Sequence, residues 1–314
     1  MTTLICIPTY DEAENIADIV RRTLTAVPAA HILIADDDSP DGTGMIADRL
    51  ALADTRVHVL HRTAKQGLGA AYTAAFSWGQ RNGFDVLVEM DADGSHRPEQ
   101  LPRLLDALER GADVALGSRW VTGGAVEGWP LSRRFISKGG SAYARLALGI
   151  RQRDVTGGYR AYRAAALREI GPEGTQSAGY SFQIELLFNA VKAGLRIVEV
   201  PITFADRTLG TSKMSTRIVL EAMWRVTVWG LEALPGRWAR YRAGVDARRT
   251  VVVGGSADSA AAHVAIAQLA QAESAEAGSD AGAAAGAGAA ASAGAVASAT
   301  PAGASALTGR TAHV

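Results

Sequence analysis

Over the first 120 residues, short apolar runs alternate with segments whose apolar positions recur at helical spacing. The runs are "TLICIPTY", "HILIADDD", "RVHVL", "FDVLVEM" and "ADVALGSR", and the helical segments between them are 12–26, 43–53, 69–81 and 98–110. Runs this short, rich in branched side chains and bounded by turn residues, predict core strands. Strand and helix in strict alternation predict an α/β fold with a mostly parallel central sheet flanked by helices.

Beyond residue 120 the pattern loosens. It gives a Gly-rich loop "WVTGGAVEGWP", a helix over about 131–148, and "DVTGGYRAYR" leading to another helix. The helix "SFQIELLFNAVKAG", the strand "RIVEVPITF" and an amphipathic helix over about 216–234 follow. From Ser256 onward the chain is mostly Ala, Gly and Ser without aromatics, and allows no more than a short helix over 257–271. Such a segment buries too little apolar surface to offset its ordering entropy. The expected organisation is one domain over 1–240 and a linker with a disordered tail over 241–314.

Composition narrows the partners. The 314 residues carry 32 basic and 32 acidic side chains, so there is no general field, which argues against nucleic acid as a partner. The single cysteine, Cys6, lies inside the first apolar run; a disulfide framework or cysteine metal site is excluded and a cytoplasmic setting is expected. "MTTLICIPTYDEAEN" lacks the basic and long apolar regions of a signal peptide, and Ala281–Gly309 is too weakly apolar to insert.

Four constellations carry candidate chemistry. In "IPTYDEAENI", Asp11, Glu12 and Glu14 surround a helix start; they serve either as caps or, with Pro8 and Tyr10, as a pocket wall for a nucleobase and ribose. In "HILIADDDSPDGTG", Asp36, Asp37 and Asp38 end a strand. Ionising three adjacent carboxylates demands a nearby cation or donors, and one of the first two is a candidate for ribose hydroxyls or a base N–H.

In "VLVEMDADGSHRP", Asp91 and Asp93 stand at a strand's carboxyl end, where open α/β sheets bind ligands; they are an ordinary turn or a clamp for Mg²⁺ or Mn²⁺ on a diphosphate. His96, two residues before Pro98, reads as surface loop rather than a ligand. The fourth set is cationic: Arg119, Arg133, Arg207 and Lys213, the last two in a loop with Gly210 and Ser212 suited to phosphates, against a background of ordinary surface charge. "AKQGLGAAY" lacks the third glycine of a dinucleotide fingerprint and reads as a helix N-terminus near a nucleotide.

In order along residues 4 to about 235, "IPTYDEAENI", "DDDSPDGT", "GLGAAY", "MDAD", "GSR", "TGGYRAYR", "GYSFQIE" and "FADRTLGTSKMS" resemble the dolichol- or polyprenol-phosphate mannosyltransferases of glycosyltransferase family 2. The resemblance implies a GT-A fold and inverting transfer of mannose from GDP-mannose to a polyprenyl phosphate. It implies Pro8, Tyr10, Glu12, Ile34, Asp36 and Asp37 around the guanosine, and Asp91, Ala92 and Asp93 on the diphosphate and its metal. Arg119 and Arg133 are implied on the acceptor phosphate, and Arg207 and Lys213 on the donor diphosphate.

One departure stands out. Many family members have Leu-Gln-His after the Asp-x-Asp, with the glutamine on the metal; here Gly94, Ser95 and His96 follow, so Ser95 or water takes that place. A phosphate monoester is already anionic near neutral pH and attacks without a general base, so Glu185 in "SFQIE" is expected to be a pocket residue. The apolar face of "TRIVLEAMWRVTVWGLEAL" is expected either to pack in the core or to rest on a membrane, making the enzyme peripheral at the cytoplasmic face. A UDP-glucose-dependent polyprenyl-phosphate glucosyltransferase is the alternative.

Overall fold

Each of the five apolar runs is a strand in the computed structural model: β1 (Thr3–Thr9), β2 (His31–Asp36), β3 (Val57–His61), β4 (Val86–Glu89) and β5 (Val114–Ser118). Helices α1 (Ile16–Ala26), α2 (Thr43–Ala53), α3 (Leu68–Arg81) and α4 (Leu101–Glu109) connect them. Then come β6 (Ala125–Val126), α5 (Leu131–Leu148), β7 (Arg160–Arg163), α6 (Ala164–Ile170), α7 (Tyr180–Lys192), β8 (Ile197–Pro201) and β9 (Thr203–Phe204). A helix over 222–234, here α8, and β10 (Thr250–Val252) follow, and short 3-10 turns precede α4 (Pro98–Gln100) and follow α6 (Pro172–Gly174).

The structure describes residues 1–175, 180–206, 222–234 and 250–252, all within the unit Met1–Ala267. Arg207, Gly210, Ser212, Lys213, the N-terminal part of the expected 216–234 helix and the expected tail lie outside the described residues.

The main sheet has the order β10-β8-β5-β7-β4-β1-β2-β3. Every pairing in it is parallel except those of β7, which runs antiparallel to both β4 and β5. Strand alternation feeds a core on each face. Leu4 and Cys6 pack with Tyr72, Phe76 and Phe182 on one side, while Ile5 and Ile7 pack with Ile32, Ile34 and Leu104 on the other. Helix α3 lies so close to the sheet that a Cβ on Gly79 would stand 2.5 Å from Leu87 Cδ2 and 2.8 Å from Leu4 Cδ2. Burial, with Glu89 nearby, pushes the Cys6 thiol well above its ordinary pKa.

Two elements depart from the sequence pattern. "TGGYRAYR" does more than lead into a helix: it supplies β7, which separates β4 from β5. Arg160 hides this strand from a hydropathy reading. The side chain is buried because its guanidinium donates to the carbonyls of Gly157 (2.8 Å), Gln183 (2.7 Å) and Val155 (2.9 Å). The second departure is β10, which pairs with β8 beyond the boundary expected at residue 240. That corrects the expected linker at 250–252, where the chain still belongs to the sheet.

Candidate active site

The site residues gather at the carboxyl ends of β1, β2, β4 and β5. The two N-terminal constellations form one wall. Asp11 N donates to Ser39 Oγ (3.2 Å), Glu12 N to Thr43 Oγ1 (3.0 Å) and Ala13 N to Asp41 Oδ2 (2.9 Å). Asp36 accepts from Thr9 Oγ1 at 2.9 Å and Ser39 Oγ at 2.6 Å, and Asp37 is paired with Arg62. The cation and donors that three adjacent carboxylates require are therefore present. Burial still raises the Asp37 carboxyl above its ordinary value, against the pull of Arg62.

Tyr10 presents its ring to Lys65, whose Nζ lies 3.5 Å from the centroid. Pro8 is half-buried at the end of β1, and Glu12 accepts from Asn15 Nδ2 at 2.8 Å. Ile34 is different. It is wholly buried in the core, two residues before Asp36 on the same strand. Helix α3 starts after Gly67 (φ +94°), as its sequence suggests, and Arg62 ties this loop to the wall through Gln66 at 3.0 Å.

The stretch "MDADGSH" turns immediately after β4. Tyr72 Oη donates to Asp91 Oδ1 at 3.0 Å, Ser95 N to Asp93 Oδ1 at 3.1 Å, and Gly94 takes φ +78° to close the loop. Asp93 is buried and Asp91 partly exposed. Ala92 is buried in the core between them. Ser95 is buried, with its Oγ lacking a hydrogen-bond partner.

His96 is no surface residue, which corrects the expectation from its sequence position. It is 2% exposed, stacked on Tyr159 with centroids 4.8 Å apart and edge-on to Phe204. Its Nδ1 accepts from Asp91 N at 3.0 Å, which places the ring proton on Nε2 and occupies the nitrogen nearest the carboxylates.

Among the described residues no group of three or more His, Cys, Asp or Glu is gathered to hold a metal. Two carboxylates and an orphaned hydroxyl in five residues are hard oxygen donors. They fit an ion that keeps few protein ligands and takes phosphate oxygens for the rest.

Behind them Glu89 is fully buried at the end of β4. Burial pushes its carboxyl up to about 8, although the Arg160 charge pulls it down.

On the other side of the loop, Arg119 follows β5 and is fixed by Asp154. Its Nε donates to Oδ2 at 2.7 Å, its Nη2 to Oδ1 at 2.6 Å and its backbone N to Oδ2 at 2.8 Å. Arg133, two residues into α5, donates to Asp206 Oδ1 at 2.7 Å. Both guanidinium carbons lie against one ring, Trp129, at 5.4 Å for Arg119 and 4.0 Å for Arg133. Trp120 and Phe204 close the same cluster.

Tertiary structure thus brings Arg119 and Arg133 together, and adds Trp120, Trp129, Asp154, Tyr72, Arg62 and Lys65, which no local pattern singles out. Glu185 is half-buried in α7 with Oε2 unpartnered.

A mostly parallel α/β sheet with carboxylates after β1 and β2, an Asp-x-Asp turn after β4 and a cationic cluster beyond it is the arrangement of a sugar-nucleotide-dependent transferase of GT-A fold. The chain belongs to glycosyl transferase family 2, whose model matches residues 4–171. It is 56% identical over 241 residues to a polyprenol monophosphomannose synthase of Mycolicibacterium smegmatis, covering 76% of this chain and 90% of that one. It is 55% identical over 243 residues to an undecaprenyl-phosphate mannosyltransferase of Micrococcus luteus, covering 77% and 98%. Its fold is similar to that of glucosyl-3-phosphoglycerate synthase from Mycobacterium tuberculosis, solved with Mn²⁺, UDP-glucose and phosphoglyceric acid (TM-score 0.50, 18% identity, 73% of this chain and 78% of that chain).

Proposed function

We propose that the protein transfers mannose from GDP-mannose to a polyprenyl phosphate with inversion, releasing GDP and β-mannosyl phosphopolyprenol. The observation that carries this reading is the 56% and 55% identity, over about three quarters of the chain, to two proteins named for mannosyl transfer to polyprenols. Pro8, Tyr10, Glu12, Asp36 and Asp37 bind the guanosine side. Asp91, Asp93 and Ser95 hold Mg²⁺ or Mn²⁺ with the donor diphosphate. Arg119 and Arg133 hold the acceptor phosphate, and Arg207 and Lys213 the donor diphosphate. A divalent ion bound there supplies charge neutralisation for the leaving diphosphate.

The reaction asks little of acid–base chemistry. An oxygen of the acceptor phosphate forms the new bond to the anomeric carbon as the bond from that carbon to the GDP oxygen breaks. A phosphate monoester is largely dianionic at neutral pH, its second pKa being about 6, so no base removes a proton first. The arginines align the attacking oxygen, and cations stabilise the departing GDP. Glu185 serves as a pocket residue.

The enzyme rests on the membrane that holds its acceptor, at the cytoplasmic face. Among the described residues no helix is long and apolar enough to cross a bilayer. Helices α5 and α8 are joined by Tyr143 Oη to Thr227 Oγ1 at 2.5 Å, and expose Phe135 (72%), Ile136 (59%) and Trp224 (69%). Helix α5 also carries Arg133, Arg134, Lys138 and Arg145 and no acidic residue, which suits an anionic lipid surface.

The test is transfer from radiolabelled GDP-mannose or UDP-glucose to polyprenyl phosphate, with Mg²⁺, Mn²⁺ or chelator. Metal-dependent mannose transfer, lost by a factor of about 10² or more in Asp93→Ala, is expected. Transfer of glucose alone would overturn the donor, and undiminished activity in Asp93→Ala would overturn the metal assignment.

A further inference from the structure

The cluster around Trp129 contains more than two arginines. Trp129 is 7% exposed and its Nε1–H has no acceptor. The buried Nε1–H of Trp120 has none either, and that ring stands edge-on to Trp129 with centroids 6.4 Å apart. Indole N–H groups shut off from water nearly always find an acceptor, because going without one forfeits the hydration they had in the unfolded chain. Two orphans side by side, both against guanidinium groups, mark a place where an acceptor oxygen arrives.

The charge around them has the same sense. Arg119 is matched by Asp154 and Arg133 by Asp206. Lys138, on α5, places its Nζ 5.0 Å from the Trp120 ring centroid and has no carboxylate partner among the described residues. The cluster is therefore left net positive at its exposed side. Leu131, Phe135 and Ile136, all exposed on the same helix, lie next to it in sequence, where an apolar chain attached to the anion would leave.

We propose that the indole N–H groups of Trp120 and Trp129 and the ammonium of Lys138 bind the phosphate monoester of the lipid acceptor together with Arg119 and Arg133. This rests on the acceptor-phosphate reading of the two arginines. A terminal phosphate offers three strongly accepting oxygens to donors fixed by ring packing, and Lys138 supplies the charge that Asp154 and Asp206 leave uncompensated. Neutral sugar hydroxyls gain little from such a set, so these three residues select a phosphate acceptor over a hydroxyl one.

The test uses the full chain labelled with ¹⁵N-tryptophan, which has six indole N–H signals. Trp120→Phe and Trp129→Phe assign two of them, and retained GDP binding shows that each variant is folded. Farnesyl phosphate, inorganic phosphate and GDP are titrated separately, without sugar donor. Farnesyl phosphate is expected to move both signals downfield at concentrations at least about tenfold below those needed with inorganic phosphate, the lipid contributing the difference.

Lys138→Gln, on the exposed surface, is expected to raise the KM for lipid phosphate about tenfold and leave the KM for GDP-mannose unchanged. Saturation by farnesyl phosphate with both indole signals unmoved would overturn the proposal while leaving the arginine reading intact. Movement of these signals by GDP alone would assign the cluster to the donor and overturn it. Failure of farnesyl phosphate to bind the wild-type chain would remove the acceptor reading itself.

Discussion

The Tyr72 hydroxyl donates to Asp91 Oδ1 at 3.0 Å, and the ring that carries it is stacked on Phe182 with centroids 6.4 Å apart. The first carboxylate of the Asp-x-Asp turn is thus oriented from α3, through a residue fixed by core packing. Burial beside Asp91 and Glu89 raises the Tyr72 phenol well above its ordinary value, so it remains a donor at every working pH.

Tyr72→Phe keeps the packing and removes the donor. It is expected to weaken binding of the Mn²⁺–GDP complex about tenfold, as loss of a partner to a metal ligand commonly does, with the melting temperature nearly unchanged. Calorimetric titration of Mn²⁺–GDP into wild type and variant measures this, and equal affinities would refute the positioning role.

Asp154→Asn should cost more stability than most single substitutions. Asp154 is wholly buried and accepts three bonds from Arg119, so its loss leaves a buried guanidinium without its counter-charge. The expected penalty is about 3–5 kcal/mol in chemical denaturation. A loss within about 1 kcal/mol, the range of exposed ion pairs, would mean that Arg119 is solvated in solution.

Glu89 gives stability a pH dependence. Its folded pKa of about 8 lies above the ordinary 4.5, because burial outweighs Arg160. The folded protein then holds a proton that the unfolded chain has released. Its contribution is complete below pH 4.5 and is lost as pH rises towards about 8. Between those values the unfolding free energy should fall by up to about 1.4 kcal/mol per pH unit from this group. Glu89→Gln, measured by denaturation in the presence of chelator at several pH values, should remove that slope; an unchanged slope would assign it elsewhere.

Phe135→Ser with Ile136→Ser removes apolar surface that is exposed in the structure, at 72% and 59%. Flotation with anionic liposomes should drop at least about tenfold, given roughly 25 cal/mol per Å² of apolar surface buried on docking. Thermal stability and binding of GDP should hold. Unaltered flotation would exclude α5 from the docking face.

Much of the fold is legible in the chain. The runs that became β1, β2, β4 and β5 are short and mostly apolar because both faces of each strand are covered, whereas the edge strand β3 is only partly buried; the turn residues after them mark the sheet edge where ligands bind. The Asp-x-Asp turn, the wall made by residues 8–12 and 36–37, and the start of α3 follow from local chemistry. Strand β7 does not, because Arg160 reads as a surface residue until the carbonyls of Gly157, Gln183 and Val155 are brought to it. His96 is hidden in the same way, its imidazole being buried by Tyr159 and Phe204, which lie far along the chain.

The sequence by itself determined which segments are strands and helices, since burial on one or two faces writes its period into the residues. It also determined where the carboxylates stand, at strand ends. Only the tertiary structure decided that Arg119 and Arg133 meet on Trp129, that Asp154 holds the first and Asp206 the second, and that two indole N–H groups are left over beside them. Those relationships join residues on separate loops. They depend on how the residues after β5, the start of α5 and the residues at the end of β9 meet, and no periodicity within a segment records the geometry between segments.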